Sequence, residues 1–553
     1  MKRNQYKNKI TILLLLTGII FNLYLNLRNG SVASEVYGNL FGNGSSKLTK
    51  IALVDSLMAD FHEGKIFLEF EGFNIKDNLT WDFAPFKYYR SVYQYYPGEI
   101  HTGNPDLIIN RGTEFLLNPV KADDEWLKGN KFNYSIKYKL LQDGEILTEV
   151  KEISTPDPSH RHFPEKARLV FLSMFTIGIF VILFSILFLQ MKKTPFQLTF
   201  NKKDFLALFS VTVILIMFLI VTGDSLLMPV YNGDAFGIWM LKAKVLFHEG
   251  FGSNYFHNPN MGYSHLDYPL LVPMLISGVY SMLGYADDSY GKIIYPLIYL
   301  LFVGLIFSAA RRRLDLEKSL LLTALFASIP ALVRWSGTGT ADMVLTFFYA
   351  GSILHLIIFI GRKNTYDLIL SAFYSSLCIL TKNEGLPLAL INAFTLIIFC
   401  SIPNRNIKFF FTYISLLTIP CLPWFIFSCN IPKIHENSLA TVNLAHFAEN
   451  IARLKIIIPA FFSEYSNVQN WGILWAMTVV FGFAGWKHLK NKTVAILFLL
   501  FILHTSLYVF IYVIYPYSLG WLLAMTLDRL ILHTTPAILL ILTYLLYGEE
   551  NPQ

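Results

Sequence analysis

The chain has 553 residues, 54% of them hydrophobic and 15% charged, with a mean hydropathy of +0.46. That balance excludes a soluble domain of this size and predicts a polytopic α-helical membrane protein. The net charge of +7 does not indicate nucleic acid, because Lys and Arg stand in short clusters between apolar runs, as cytoplasmic anchors do.

At the start, Lys2, Arg3, Lys7 and Lys9 precede an apolar run from Ile10 to Leu27 with no small-residue cleavage site after it. Residues 1–27 therefore read as a signal-anchor transmembrane helix, N-terminus inside. Residues 28–166 hold no spanning run. Period-two alternation, as in Lys131-Phe132-Asn133-Tyr134-Ser135-Ile136-Lys137-Tyr138, and turn signals such as Asp143-Gly144 predict a mostly β domain there, on the extracytoplasmic side. Residues 167–204 supply a second span and a basic loop with Lys192, Lys193, Lys202 and Lys203, expected inside.

From 205 to 547 the chain reads as one multi-spanning domain, with a cytoplasmic tail at 548–553. A run at 205–221 leads outward into a long section, 222–289. Within it, Tyr268 to Leu283 is apolar but short and interrupted by Pro269 and Pro273, which predicts a re-entrant or juxtamembrane segment. A span at 292–310 then brings Arg311, Arg312, Arg313 and Lys318 inside. Runs at 319–336, 343–360, 367–381, 386–402, 408–427, 471–486, 493–513 and 535–547 alternate so that Arg362, Lys363, Arg405, Lys408, Lys487, Lys490 and Lys492 also fall inside. The expectation is about twelve spans with both termini inside. The 4 cysteines, Cys378, Cys400, Cys421 and Cys429, lie in or beside apolar runs without metal-ligand spacing and read as buried small hydrophobes.

This topology gathers several polar stretches on the outer side: the Asp234 loop, Thr340-Ala341-Asp342, Lys382-Asn383-Glu384-Gly385, residues 428–470, and Asp528-Arg529 with His533. Asp234 follows Gly233 and precedes a helix-like segment, so its carboxylate is a helix cap or a base. Trp239, Lys242 and Leu246 share a helix face; an indole and a cation on one stripe suit an anionic headgroup or a sugar, with interfacial anchoring the alternative for Trp239. His265, Asp267 and Tyr268 are candidates for a pocket wall, although a lone histidine is more often structural. Asp342 is a helix cap or a second acid at the pocket. Lys382 can neutralise phosphate, with Glu384 either holding it or forming a plain ion pair. Arg529 and His533, at i, i+4 spacing before the last span, offer a second cationic group. For Arg529 the alternative is an interfacial bridge to Asp528 or Glu464. The absence of a Walker-type loop, a Ser/His/Asp arrangement at family spacing and a Cys/His cluster argues against a nucleotide-driven pump and a zinc enzyme.

Taken in order, the outer-loop Asp234, Tyr268-Pro269-Leu270, Gly339-Thr340-Ala341-Asp342 and Thr381-Lys382-Asn383-Glu384-Gly385 resemble the GT-C glycosyltransferase superfamily, especially its protein mannosyltransferase and aminoarabinose transferase-like branch. The resemblance covers roughly residues 205–545. It implies transfer of a sugar, with inversion, from a polyprenyl-phosphate donor to a protein, glycan or lipid acceptor at the extracytoplasmic face. It also implies Asp234 as the acceptor-directing base, Lys382 as a donor-phosphate ligand, Arg529 as an aid to the charged leaving group, and Asp342 as a second acid near the pocket. Many members carry paired acids in the first loop, whereas Asp234 is flanked by Gly233 and Ala235, so no metal site and no cofactor is expected. In a prokaryote the location would be the plasma (inner) membrane. The alternatives are a transporter or flippase of a lipid-linked glycan, and a binding module on an inert membrane scaffold. Charges placed at span ends rather than at mid-membrane favour the enzyme.

Overall fold

The computed structural model describes residues 2–28, 30–41, 165–192, 204–257, 264–402, 406–431, 447, 450–485, 491–515 and 518–546, together with short strands between 66 and 152. Two helices open the chain, α1 (Lys2–Leu27) and α2 (Val32–Phe41). The second falls within the section expected to be mostly β: residues 32–41 are helical and pack against the Asp204–Leu227 helix. Six strands follow: β1 (Ile66–Phe67), β2 (Glu69–Phe70), β3 (Ile100–His101), β4 (Phe115–Asn118), β5 (Tyr134–Leu140) and β6 (Ile146–Glu152). Strands β2, β4, β5 and β6 form an antiparallel ladder in that order, with Tyr134 opposite Glu152 and Leu140 opposite Ile146. These short strands do not by themselves make up the mostly β domain expected for 28–166. The rest of that section lies outside the described residues, as do the basic loop at 193–203 and the tail.

The membrane half contains α3 (Glu165–Lys192), α4 (Asp204–Leu227), α5 (Met240–His248), α6 (Leu271–Leu283), α7 (Asp288–Gly291), α8 (Ile294–Arg311), α9 (Leu316–Ala327) and α10 (Pro330–Gly337). It continues with α11 (Asp342–Arg362), α12 (Thr365–Thr381), α13 (Gly385–Leu396), α14 (Lys408–Ser428), α15 (Leu454–Tyr465), α16 (Val468–Trp471), α17 (Leu474–Ala484), α18 (Lys492–Ile514) and α19 (Leu519–Leu545). Among the described residues, 8 helical segments are long and apolar enough to cross a membrane, or 9 if the bent pair α9–α10 counts as one span. The expected number was higher because α12, the α13 run to Cys400 and α17 were read as spans. Each has only 10–17 residues, shorter than a full span of ~20 residues, although α12 still runs from Asp367, beside His355 on α11, to Lys382, beside Asp342 at the start of α11. The 13-residue α6 is also too short to cross, in keeping with a juxtamembrane reading.

Burial separates an inner set of helices from an outer set. The apolar windows of α11, α19 and the α7–α8 segment are 94%, 83% and 72% buried, against 28%, 22% and 17% for α3, α4 and α14. Polar side chains on the inner helices are thus shielded from lipid, the condition under which intramembrane charge is tolerated. The α9–α10 pair, expected as one span at 319–336, is bent by 62°. Pro330 at the start of α10 has no N–H to continue the helix. Two asparagines one turn apart on α1 fill the break: Asn22 Nδ2 donates to Leu325 O (3.2 Å) and Ser328 Oγ (3.3 Å), and Asn26 Nδ2 donates to Ser328 O (2.7 Å). A neighbouring helix thus hydrogen-bonds carbonyls at the break.

Candidate active site

The site is assembled from helix ends. Asp342 is the first residue of α11, Lys382 is the C-cap of α12, and Glu384 is the N-cap of α13. Carboxylates at helix N-termini and an ammonium at a C-terminus each complement the local helix dipole. The turn between α12 and α13 is tight because Gly385 lies against the backbone of Cys378, where a Cβ would sit 1.9 Å from its carbonyl oxygen. Asp234 occupies the N-cap position of a single π-turn, Ala235–Trp239, but its side chain makes no cap hydrogen bond. Gly339 presses the Thr340-Ala341-Asp342 loop onto that turn: its φ is +88° and a Cβ would lie 3.0 Å from Ala235 Cβ.

The charged groups form one alternating chain. Asp234 Oδ2 is 2.5 Å from Arg529 Nη1; Arg529 Nε and Nη2 donate to Asp342 Oδ2 at 2.9 and 2.8 Å. Asp342 Oδ1 accepts from Lys382 Nζ at 3.0 Å, and Lys382 Nζ lies 2.8 Å from Glu384 Oε1. His533 Nε2 stands 3.3 Å from Asp342 Oδ1, and its Nδ1 is 2.9 Å from Tyr508 Oη. The side chain of Asp342 is wholly buried, whereas Asp234 and Glu384 are 34% and 18% exposed, so the two ends of the chain are its accessible acids. Burial opposes the charge on Lys382, but Asp342 and Glu384 outweigh it and hold the ammonium above the ordinary lysine range. Asp342 serves as the hub of the site, a larger part than a second acid or a helix cap.

An aromatic wall flanks these charges. Trp239 stacks on Tyr268 with centroids 5.5 Å apart, and Tyr268 stacks on His265 at 4.8 Å. Burial, then Glu384, Asp267 and Asp234, push the Tyr268 hydroxyl well above its ordinary pKa. Asp267 accepts from Asn383 Nδ2 at 2.9 Å, tying this turn to the Lys382 loop. Lys242 is buried and turned inward. Its Nζ donates to His265 O (2.5 Å) and Tyr268 O (3.4 Å), so it braces the turn from behind and does not face a headgroup. Trp239 is 1% exposed and is no interfacial anchor. Two polar atoms beside the wall are buried without a hydrogen-bond partner among the described residues, Trp239 Nε1 and Glu384 Oε2.

Arg529 and His533 do not precede the last span, as expected, but lie inside α19, which begins at Leu519. The polar run Asp528-Arg529 masked a helix whose charges are paired internally. Neither bridge considered for Arg529 forms: Asp528 pairs with Arg334 (2.8 Å) and accepts from Trp335 Nε1 (3.0 Å), and Glu464 accepts from Asn470 and Trp471. Trp335, whose ring lies 5.1 Å under the Arg529 guanidinium, and Tyr508 are part of the site and carry no spacing signal in the sequence. Among the described residues no group of three His, Cys, Asp or Glu side chains is arranged to hold a metal. Cys378, Cys400 and Cys421 are buried as expected, but Cys429 at the end of α14 is exposed.

Residues 267–427 match the family model described as dolichyl-phosphate-mannose-protein mannosyltransferase. Comparison with curated proteins and with solved structures returns no match. The matched segment contains Asp342, Lys382 and Glu384, and lies between Asp234 and Arg529 in the chain. Residues 267–427 are thus similar to a dolichyl-phosphate-mannose-protein mannosyltransferase family of the GT-C superfamily, and the chain that carries them is a helical membrane protein.

Proposed function

We propose that the protein transfers a sugar, with inversion, from a polyprenyl-phosphate donor to an acceptor hydroxyl at the extracytoplasmic membrane face. The observation that supports this reading is the alternating chain Asp234–Arg529–Asp342–Lys382–Glu384, in which two cations of a type suited to phosphate stand beside an accessible carboxylate. A polyprenyl phosphate stays in the bilayer, so its phosphate must be met at the interface. Lys382 and Arg529 neutralise it there, and Asp342 acts as a positioning residue that holds both cations. The acceptor O–H gives its proton to Asp234 as its oxygen bonds to the anomeric carbon. The bond from that carbon to the phosphate oxygen breaks, and its electron pair leaves with the phosphate. Arg529 contacts both Asp234 and Asp342, so its shift toward phosphate would release the base for the acceptor. Tyr268, backed by the buried Trp239, supplies an aromatic side chain for the sugar ring.

The test uses purified protein in detergent with labelled polyprenyl-phosphate sugars, mannose first in view of the family match, and protein, glycan and lipid acceptors. Label moving to an acceptor with release of polyprenyl phosphate supports the proposal, and Lys382→Ala should raise the donor KM by at least about tenfold. In liposomes, donor that crosses the bilayer unconsumed would instead identify a flippase.

A further inference from the structure

A second charged pocket lies at the other end of α11. His355 is 13 residues beyond Asp342 on the same helix, about 20 Å away at the α-helical rise. It is 1% exposed, and its Nδ1 is 2.8 Å from Asp367 Oδ1 at the start of α12. With the proton on Nδ1, the other ring nitrogen accepts from Gln190 Nε2 at 2.6 Å, and Gln190 Oε1 accepts from Ser308 Oγ at 3.1 Å. This buried relay lies at the base of a small open pocket whose walls include Arg312, Arg362 and Asn364. The C-terminal ends of α3, α8 and α11, whose dipoles the two arginines offset, and the N-terminal end of α12, which favours an anion, converge on it.

The pocket walls hold two guanidiniums and one carboxylate. Asp367 supports the charge on Arg312 but is itself engaged by His355, and Arg362 opposes that charge. Arg312 Nε is buried without a hydrogen-bond partner among the described residues. Two arginines sharing one occupied carboxylate, with a free N–H and an amide at the rim, match the geometry of a tetrahedral oxyanion.

We propose that this pocket binds a phosphate group, carried by an anionic phospholipid of the leaflet opposite the candidate active site. The pocket lies where helix ends meet the headgroup layer, which is why a lipid-borne phosphate suits it better than a free one. Its role is separate from sugar transfer and does not depend on it.

Full-length protein in detergent is titrated with short-chain phosphatidic acid, with inorganic phosphate and with zwitterionic phosphatidylcholine of the same chain length, following thermal stability and lipids retained in native mass spectrometry. Arg362 is exposed, so Arg362→Gln should fold, and it is measured alone and with Arg312→Gln. The expected result is stabilisation by phosphatidic acid well below the concentration at which phosphatidylcholine acts, weakened at least tenfold in Arg362→Gln and abolished in the double variant. Equal stabilisation by inorganic phosphate at similar concentrations would keep the phosphate site but assign it to the free ion. Stabilisation that is the same in wild type and Arg362→Gln, or absent for both phosphate probes, would overturn the proposal.

Discussion

Asp342 decides whether the two buried cations of the site can exist. Its carboxylate takes three hydrogen bonds, from Arg529 Nε, Arg529 Nη2 and Lys382 Nζ. Breaking a buried ion pair by removing one partner costs about 3–5 kcal/mol, because the other charge is left uncompensated. Asp342→Asn is therefore expected to lower thermal stability by that order as well as transfer, whereas Asp234→Asn, at a residue 34% exposed, should leave stability nearly unchanged. Thermal melts of the two variants in one detergent check the contrast. Lys242 makes a second residue-level prediction. Burial pushes its pKa down to about 7, with Asp267 opposing. In the unfolded chain the group keeps its ordinary value near ~10.4, so between the two values the unfolded state binds more protons and stability rises with pH. A neutral amine retains two N–H bonds, enough for the carbonyls of His265 and Tyr268. Melting temperature should rise from pH 7 to pH 9, and the rise should shrink in Lys242→Met.

Two element-level contacts control how helices present the site. The α9–α10 break is held by Asn22 and Asn26, so Asn26→Leu should leave the Ser328 carbonyl unpaired at a cost of about 1–3 kcal/mol, read as a lower melting temperature. Gly339 sets the distance between the Asp234 turn and Asp342. Gly339→Ala adds a left-handed backbone penalty of about 1–2 kcal/mol and a methyl 3.0 Å from Ala235. It should lower kcat more than it raises the donor KM, because it shifts Asp234 relative to a phosphate site that stays intact. At this scale the sequence is readable where polarity interrupts an apolar run. Lys382 and Glu384 between α12 and α13, and Asp342 before α11, stand out for that reason. The same signal misleads at Arg529, where a polar pair inside a buried helix looks like a helix end. Asn22 and Asn26 are silent, since two amides in an apolar run show their purpose only against the carbonyls at the α9–α10 break.

Across the whole molecule, hydropathy and charge make a polytopic helical protein legible, but they do not separate full-length spans from shorter apolar helices. α12, buried among its neighbours, and α17, largely exposed, look alike in the sequence. The side of the membrane that holds the site rests on the positive-inside rule, and Cys429 offers a native probe of it. This cysteine is exposed at the end of α14 opposite Lys408, while Cys378, Cys400 and Cys421 are buried. A membrane-impermeant maleimide added outside intact cells should label Cys429, and Cys429→Ser should abolish the labelling; labelling only after the cytoplasmic side is opened would reverse the topology. The central claim is that Asp234 directs the acceptor while Lys382 and Arg529 hold the donor phosphate. Its most direct test is sugar transfer by Asp234→Asn beside donor binding by the same variant. Transfer should fall by about 10²-fold or more with donor affinity retained, whereas transfer at the wild-type rate would contradict the account.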